Sequence, residues 1–102
     1  MHRQPLSIKL PARLMTTKEI HAVAKSVSDR ESFINFVSKL SHHWRSNPES
    51  WENQNLGEYL EAMASWVEDM DGYYQNVGEQ MPQDVNWKVF ADAMMAARVY
   101  EA

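Results

Sequence analysis

Apolar residues recur at intervals of three and four along most of this chain, which is the spacing that puts side chains on one face of a helix. The predicted helices span residues 17–27, 29–46, 55–77 and 87–100. Gly72 leaves open a break within the third helix, and Gly78 fits a left-handed residue just beyond its end. The pattern therefore predicts an all-α fold, with a single four-helix domain over residues 15–102.

Three of these helices begin at sequences that can satisfy the free backbone N–H groups of a helix N-terminus. Thr16 and Glu19 have the spacing of a capping box, in which two side chains each bond the other residue's backbone. Ser28 and Glu31 repeat that spacing before the second helix. Asn55 is the predicted cap of the third helix, since asparagine is favoured at that position.

Tryptophans lie on the apolar stripes of three predicted helices. We expect Trp44, Trp66 and Trp87 to meet in one shared core, because each tryptophan can bury a large apolar area. Trp51 lies in the predicted loop between the second and third helices. It is the expected anchor of that loop on the core.

The last helix is apolar around most of its circumference, which is typical of a helix that is central to its fold or shared with a neighbour. At about 100° per residue, its narrow outward face contains Lys88, Asp92, Met95 and Val99. Two of these side chains are apolar. The sequence therefore predicts self-association, as a homodimer, through Met95 and Val99.

Composition narrows the class of protein. Hydrophobic residues make up 44% and charged residues 24% of the 102 residues, as in ordinary globular chains. Because the sequence has no cysteine, disulfide frameworks and thiolate metal sites are excluded. No apolar run is long enough for a membrane-spanning helix or a secretory leader, so we expect a cytoplasmic protein with no membrane partner.

Charge is distributed unevenly. Residues 1–45 carry eight basic and three acidic side chains, and residues 46–102 carry two basic and eleven acidic ones. The net charges of the two segments are therefore +5 and −9. The acidic majority disfavours general nucleic-acid binding and favours a basic protein partner, although acids also simply keep a domain soluble.

Residues 1–14 differ from the rest of the chain. Pro5 and Pro11 exclude a helix interior there, and we expect an N-terminal extension or arm outside the core. Leu6, Ile8 and Leu10 alternate with polar residues, which is also compatible with a short extended segment lying on the helices.

From residue 51 onward, several short motifs follow one another. They are Trp51-Glu52-Asn53, Leu60-Glu61-Ala62, Glu68-Asp69-Met70-Asp71-Gly72-Tyr73-Tyr74, Gly78-Glu79, Phe90-Ala91 and Tyr100-Glu101. On these residues the chain, over roughly residues 16–101, resembles a family of small, mainly helical bacterial proteins of unknown function. The resemblance implies a small stand-alone helical domain and supplies no catalytic residue.

The acidic stretch in the third helix is the strongest candidate for a functional site. Carboxylates beside tyrosines suit a basic partner, so the predicted partner-binding residues are Glu68, Asp69, Asp71, Tyr73 and Tyr74. An inhibitor or immunity-type protein that neutralises a basic partner would have this profile.

The alternative hypothesis is an activity that depends on a metal ion or small ligand. It centres on the acidic residues Glu61, Glu68, Asp69 and Asp71. The stretch fails as an EF-hand, because Val67 and Gly78 occupy the first and last positions, where carboxylates are required. No nucleophile motif or phosphate-binding glycine loop is present, so the sequence favours a non-catalytic role and predicts no cofactor.

Overall fold

The computed structural model describes residues 15–101 and contains four helices within that range. They are α1 (Thr17–Lys25), α2 (Arg30–Ser46), α3 (Leu56–Val77) and α4 (Trp87–Ala97), with a 3₁₀ turn at Pro48–Ser50. The all-α prediction is confirmed, although α1 and α4 end before residues 27 and 100. The predicted extension at residues 1–14 lies outside the described residues.

Side-chain caps fix where most of the helices begin. The predicted box at α1 is confirmed, because the Thr16 hydroxyl accepts from the Glu19 backbone N–H at 3.1 Å and the Glu19 carboxylate accepts from the Thr16 N–H at 3.0 Å. Asn55 caps α3 by accepting from a backbone N–H at 2.8 Å, and Asn86 does the same for α4.

The predicted Ser28–Glu31 box is wrong by one residue. Asp29 is the cap of α2, accepting from the Ser32 backbone N–H at 2.8 Å, while the Ser32 hydroxyl accepts from the Asp29 N–H at 3.1 Å. A charged carboxylate interacts more favourably with the positive end of the helix dipole than a hydroxyl does. The adjacent aspartate therefore displaces the serine as cap.

Helix α3 runs without a break through Gly72 and ends where predicted. Gly78 adopts a left-handed conformation, with φ of 74°, just after the last helical residue. The Glu79 backbone N–H then donates to the Tyr74 carbonyl at 2.9 Å, which satisfies one of the free carbonyls of the helix end.

The interior consists of two apolar clusters rather than one. The larger joins α1, α2, α4 and the loop before α3, and its members are Ile20, Ala24, Val27, Phe36, Leu40, Trp51, Ala91 and Met95. The smaller lies between α3 and α4 and consists of Trp66, Tyr74 and Ala93. Trp51 anchors its loop in the larger cluster, as expected.

The expectation of one core around three tryptophans is therefore only partly right. Trp66 is buried, and Trp44 packs half-buried against the larger cluster. Trp87, the first residue of α4, is 37% exposed. Its ring contacts the edge of α2 through Phe33, with ring centres 5.2 Å apart.

Helix α4 is central, as its apolar circumference predicted, and packs against all three other helices. The predicted outward face is only partly right, since Met95 is 5% exposed and Asp92 is buried with it, whereas Val99 is 41% exposed. Residues of α1 pack with Met95, and bonds to neighbouring side chains satisfy Asp92. The large exposed side chains of α4 are instead Trp87 and Phe90.

Candidate functional site

The predicted acid–tyrosine cluster is divided between different sides of α3. Glu68, Asp69 and Asp71 are exposed, and Tyr73 is exposed to 38%. Tyr74 is only 2% exposed and belongs to the smaller apolar cluster, so it does not form part of an accessible surface. Successive residues turn by about 100°, which separates Glu68 and Asp71 from the side that carries Asp69 and Tyr73.

One side of α3 combines carboxylates with uncovered apolar groups. Leu60 and Val67 are 51% and 43% exposed, and Glu61, Glu68 and Asp71 lie within about 120° of them around the helix. We call these five residues the α3 outer face. Because the chain has no lysine or arginine between residues 46 and 87, no cation of α3 neutralises these carboxylates.

A cavity of about 680 Å³ opens between α1, α3 and α4. Its floor is a stripe of α4, and its walls come from both flanking helices. The lining residues include Lys88, Asp92, Met95, Ala96 and Val99 on α4 and beyond its end, Trp66, Asp69, Gly72, Tyr73 and Asn76 on α3, and His21, Ala24 and Lys25 on α1. The stripe predicted to face solvent is thus the floor of this cavity.

Asp92 lies at the floor of the cavity and is held by two neighbours. The Tyr74 hydroxyl donates to its Oδ2, and the Lys88 ammonium donates to both carboxylate oxygens at 3.0 and 3.1 Å. Burial, with the bond to Asp92 second, raises the pKa of the Tyr74 hydroxyl. Burial and the same carboxylate also raise the pKa of Tyr73. Both tyrosines therefore remain neutral donors at ordinary pH.

A second carboxylate, Asp69, lies at the cavity rim. The Tyr100 hydroxyl donates to its Oδ2, and this bond raises the pKa of that hydroxyl. Tyr100 is itself positioned by the loop before α3, since the Asn53 side-chain amide donates to the carbonyls of Ala97 and Tyr100 at 2.8 Å each. The Asn53 backbone N–H also donates to the Arg98 carbonyl at 2.9 Å.

The loop before α3 also encloses two polar side chains that the sequence did not single out. His43 is fully buried, and its Nδ1 accepts from the Trp51 indole N–H at 2.8 Å. Because Nδ1 accepts this bond, the neutral ring carries its proton on Nε2, which lies 3.4 Å from the Thr17 hydroxyl. Burial, and next to it the charge of Arg98, lowers the pKa of His43.

Arg98 follows α4 and is 4% exposed. Its Nε–H donates to the Met95 carbonyl at 3.0 Å, and its guanidinium carbon lies 5.8 Å from the centre of the Trp51 ring. The sequence does contain a pattern that predicts burial of His43, because His43 follows Phe36 by seven residues and Leu40 by three on the buried stripe of α2. No comparable signal marks Arg98.

The four acids of the metal hypothesis do not converge. Glu61 and Glu68 belong to the α3 outer face, whereas Asp69 turns toward the cavity and bonds Tyr100. Within residues 15–101, no group of three or more histidine, aspartate or glutamate side chains is placed to hold a metal ion.

None of the four described helices combines the length and apolar character that crossing a membrane requires. Comparison with curated proteins and with solved structures gave no significant match. A family model, described as a family of unknown function (DUF7660), matches residues 29–101. The match begins at the cap of α2, so α1 lies outside it, although the sequence resemblance was expected to begin near residue 16. Because the match covers more than half of the chain, the protein belongs to the DUF7660 family.

Proposed function

We propose that this protein is a non-catalytic module that binds a basic protein through the α3 outer face. The observation that carries the proposal is the combination of exposed Leu60 and Val67 with three carboxylates and no nearby cation on the helix. An inhibitor or immunity-type role, in which the module neutralises a basic partner, is the form of this function that the charge favours.

The apolar residues of the α3 outer face supply the apolar contact area that its carboxylates lack. Protein interfaces have a desolvated apolar centre with a polar rim. Leu60 and Val67 lie seven residues apart on one side of α3 and are suited to such a centre. The surrounding carboxylates accelerate the encounter with a basic partner and suppress binding of acidic ones.

Tyr73 does not belong to this face, because it lies on the cavity side of α3. Its ring packs against Trp66 and Tyr74, with ring centres 5.3 and 4.9 Å apart. These contacts hold the half-exposed ring at the cavity wall.

The test is affinity purification from the native host with the wild type and a Glu68→Lys/Asp71→Lys variant. We expect the wild type to retain a basic protein at about 50 mM salt and to release most of it at about 300 mM, because screening weakens charge attraction. The variant is expected to lose that protein at both salt concentrations. Replacing Leu60 and Val67 with serine tests the apolar contribution in the same assay.

A matched control carries the same charge change away from α3. Glu52→Lys/Asp84→Lys alters two exposed loop acids and is expected to keep the partner. Circular dichroism checks that every variant retains its helices. Retention of the same partner by the Glu68/Asp71 variant at both salt concentrations would show that this face is not the recognition surface.

A further inference from the structure

Arg98 is a buried cation without a carboxylate partner among residues 15–101. The ion pair on the cavity floor joins Lys88 to Asp92, and Arg98 takes no part in it. Burying a charge is costly unless an opposite charge or several hydrogen bonds compensate for it. Such a group at the wall of a cavity is a candidate binding residue.

The hydrogen-bonding capacity of Arg98 is largely unused. A guanidinium has five N–H donors, and Arg98 uses the one on Nε for the Met95 carbonyl. Its two terminal nitrogens have no acceptor within the described part of the chain. Yet no fully buried side-chain nitrogen or oxygen of the described residues lacks a partner, so these nitrogens must contact solvent. The cavity is the solvent space that Arg98 lines.

The part of the cavity formed by α1 is electropositive. His21 and Lys25 line it together with Arg98. Burial, followed by the charges of Arg98 and Lys25, lowers the pKa of His21. An anion placed here would face two permanent cations and a neutral imidazole.

None of the described carboxylates that line the cavity forms an ion pair with Arg98. Asp69 is bonded by Tyr100, and Asp92 is bonded by Tyr74 and Lys88. Glu79 also lines the cavity and follows the left-handed residue that ends α3. The apolar residues that line the cavity together with Arg98 include Trp66, Met95 and Val99.

We propose that the cavity binds a small organic acid, with its carboxylate on the Arg98 guanidinium and its apolar body against Trp66, Met95 and Val99. The planar guanidinium suits a carboxylate because two parallel N–H···O bonds form between them. The volume of about 680 Å³ is that of a small-molecule site. This site is separate from the α3 outer face, so either can fail without the other.

The test uses the full-length chain and three probe acids: acetate, benzoate and indole-3-acetate. Each is compared with its uncharged amide by calorimetry and by the NMR signal of the Arg98 Nε–H. We expect at least one aromatic acid to bind with a Kd below about 10 mM, to shift that signal, and to bind at least about tenfold more tightly than its amide. Arg98→Met is expected to abolish this difference.

Arg98→Met removes a buried group, so the test also uses a second variant whose result does not depend on the folding of Arg98→Met. Val99→Glu places a negative charge at a half-exposed position in the cavity wall and is expected to weaken binding of the acid about tenfold. Val85→Glu makes the same change at an exposed position outside the cavity and is expected to have no effect. The proposal is overturned if none of the acids binds, if acid and amide bind equally, or if Val99→Glu leaves binding of the acid unchanged.

Discussion

The buried His43 makes the stability of this protein depend on pH in a defined direction. Its Nδ1 accepts a hydrogen bond from Trp51, so protonation would remove that acceptor and place a charge in the interior. Burial and the charge of Arg98 lower its pKa below the ordinary 6.5, against a weaker opposing effect of Glu49. The unfolded chain therefore binds this proton more readily than the folded chain.

The sign and size of the effect follow from proton linkage. The contribution of His43 is fully present above the unfolded pKa and is lost as the pH falls from 6.5 toward the lower folded pKa. The free energy of unfolding falls by at most about 1.4 kcal/mol between pH 7.5 and 5.5, which is the loss for a ring that stays neutral in the folded state over this whole range. This range avoids most of the titration of aspartate and glutamate.

The assay is denaturant unfolding at both pH values for the wild type and for His43→Gln. Glutamine keeps an oxygen that can accept from the Trp51 indole but does not titrate, so most of the pH dependence should disappear in the variant. His21→Gln is the matched control. His21 also has a lowered pKa but is exposed, so its removal should change the pH dependence less.

Two results would contradict this pH dependence. One is an equal loss of stability between pH 7.5 and 5.5 in the wild type and in His43→Gln. The other is an NMR titration of the folded protein that places the pKa of His43 at or above 6.5. Either result would mean that the ring accepts a proton without giving up its buried contacts.

Three further predictions concern stability measured by denaturant unfolding. Gly78→Ala should lower the free energy of unfolding by about 1 kcal/mol because the φ of Gly78 is positive, and Gly72→Ala should raise it by about 0.5–1 kcal/mol because an added Cβ meets nothing within 4 Å. The opposite order of stabilities would contradict the left-handed cap. Asp92→Ala should cost about 3 kcal/mol by leaving the buried Tyr74 hydroxyl without its acceptor, and a loss below about 1 kcal/mol would argue against that bond. Removing residues 1–14 should change stability by less than about 0.5 kcal/mol, and a loss of several kcal/mol would show that this segment docks on the helices.

Local features of the fold could be predicted from sequence because they depend on neighbours in the chain. The Thr16 box and the Gly78 cap involve residues within five positions of one another, and both are confirmed. The start of α2 was misplaced because Ser28 and Asp29 are adjacent and both can cap. Sequence spacing does not rank two such candidates, whereas the helix dipole favours the charged one.

Features that depend on tertiary partners could not be predicted in the same way. The polar stripe through Lys88 and Asp92 suggested a solvent face, but bonds from Tyr74 and Lys88 allow Asp92 to be buried. The burial of Arg98 depends on Trp51 and on a carbonyl of α4, and neither contact leaves a periodic trace in the sequence. Residue spacing therefore could not predict the cavity, although Asp69 and Tyr73, which line its wall, were among the predicted site residues.

The three hydrogen bonds from Asn53 to the end of α4 have a consequence for local opening of the chain. The last carbonyls of a helix have no partner within it, and here a residue ahead of α3 satisfies three carbonyls at and just beyond that end. Fraying of the C-terminal turn therefore requires release of the loop that also carries the buried Trp51. Amide exchange of Asn53 should accordingly be as slow as that of the core, with this end of the chain opening as part of one cooperative unit.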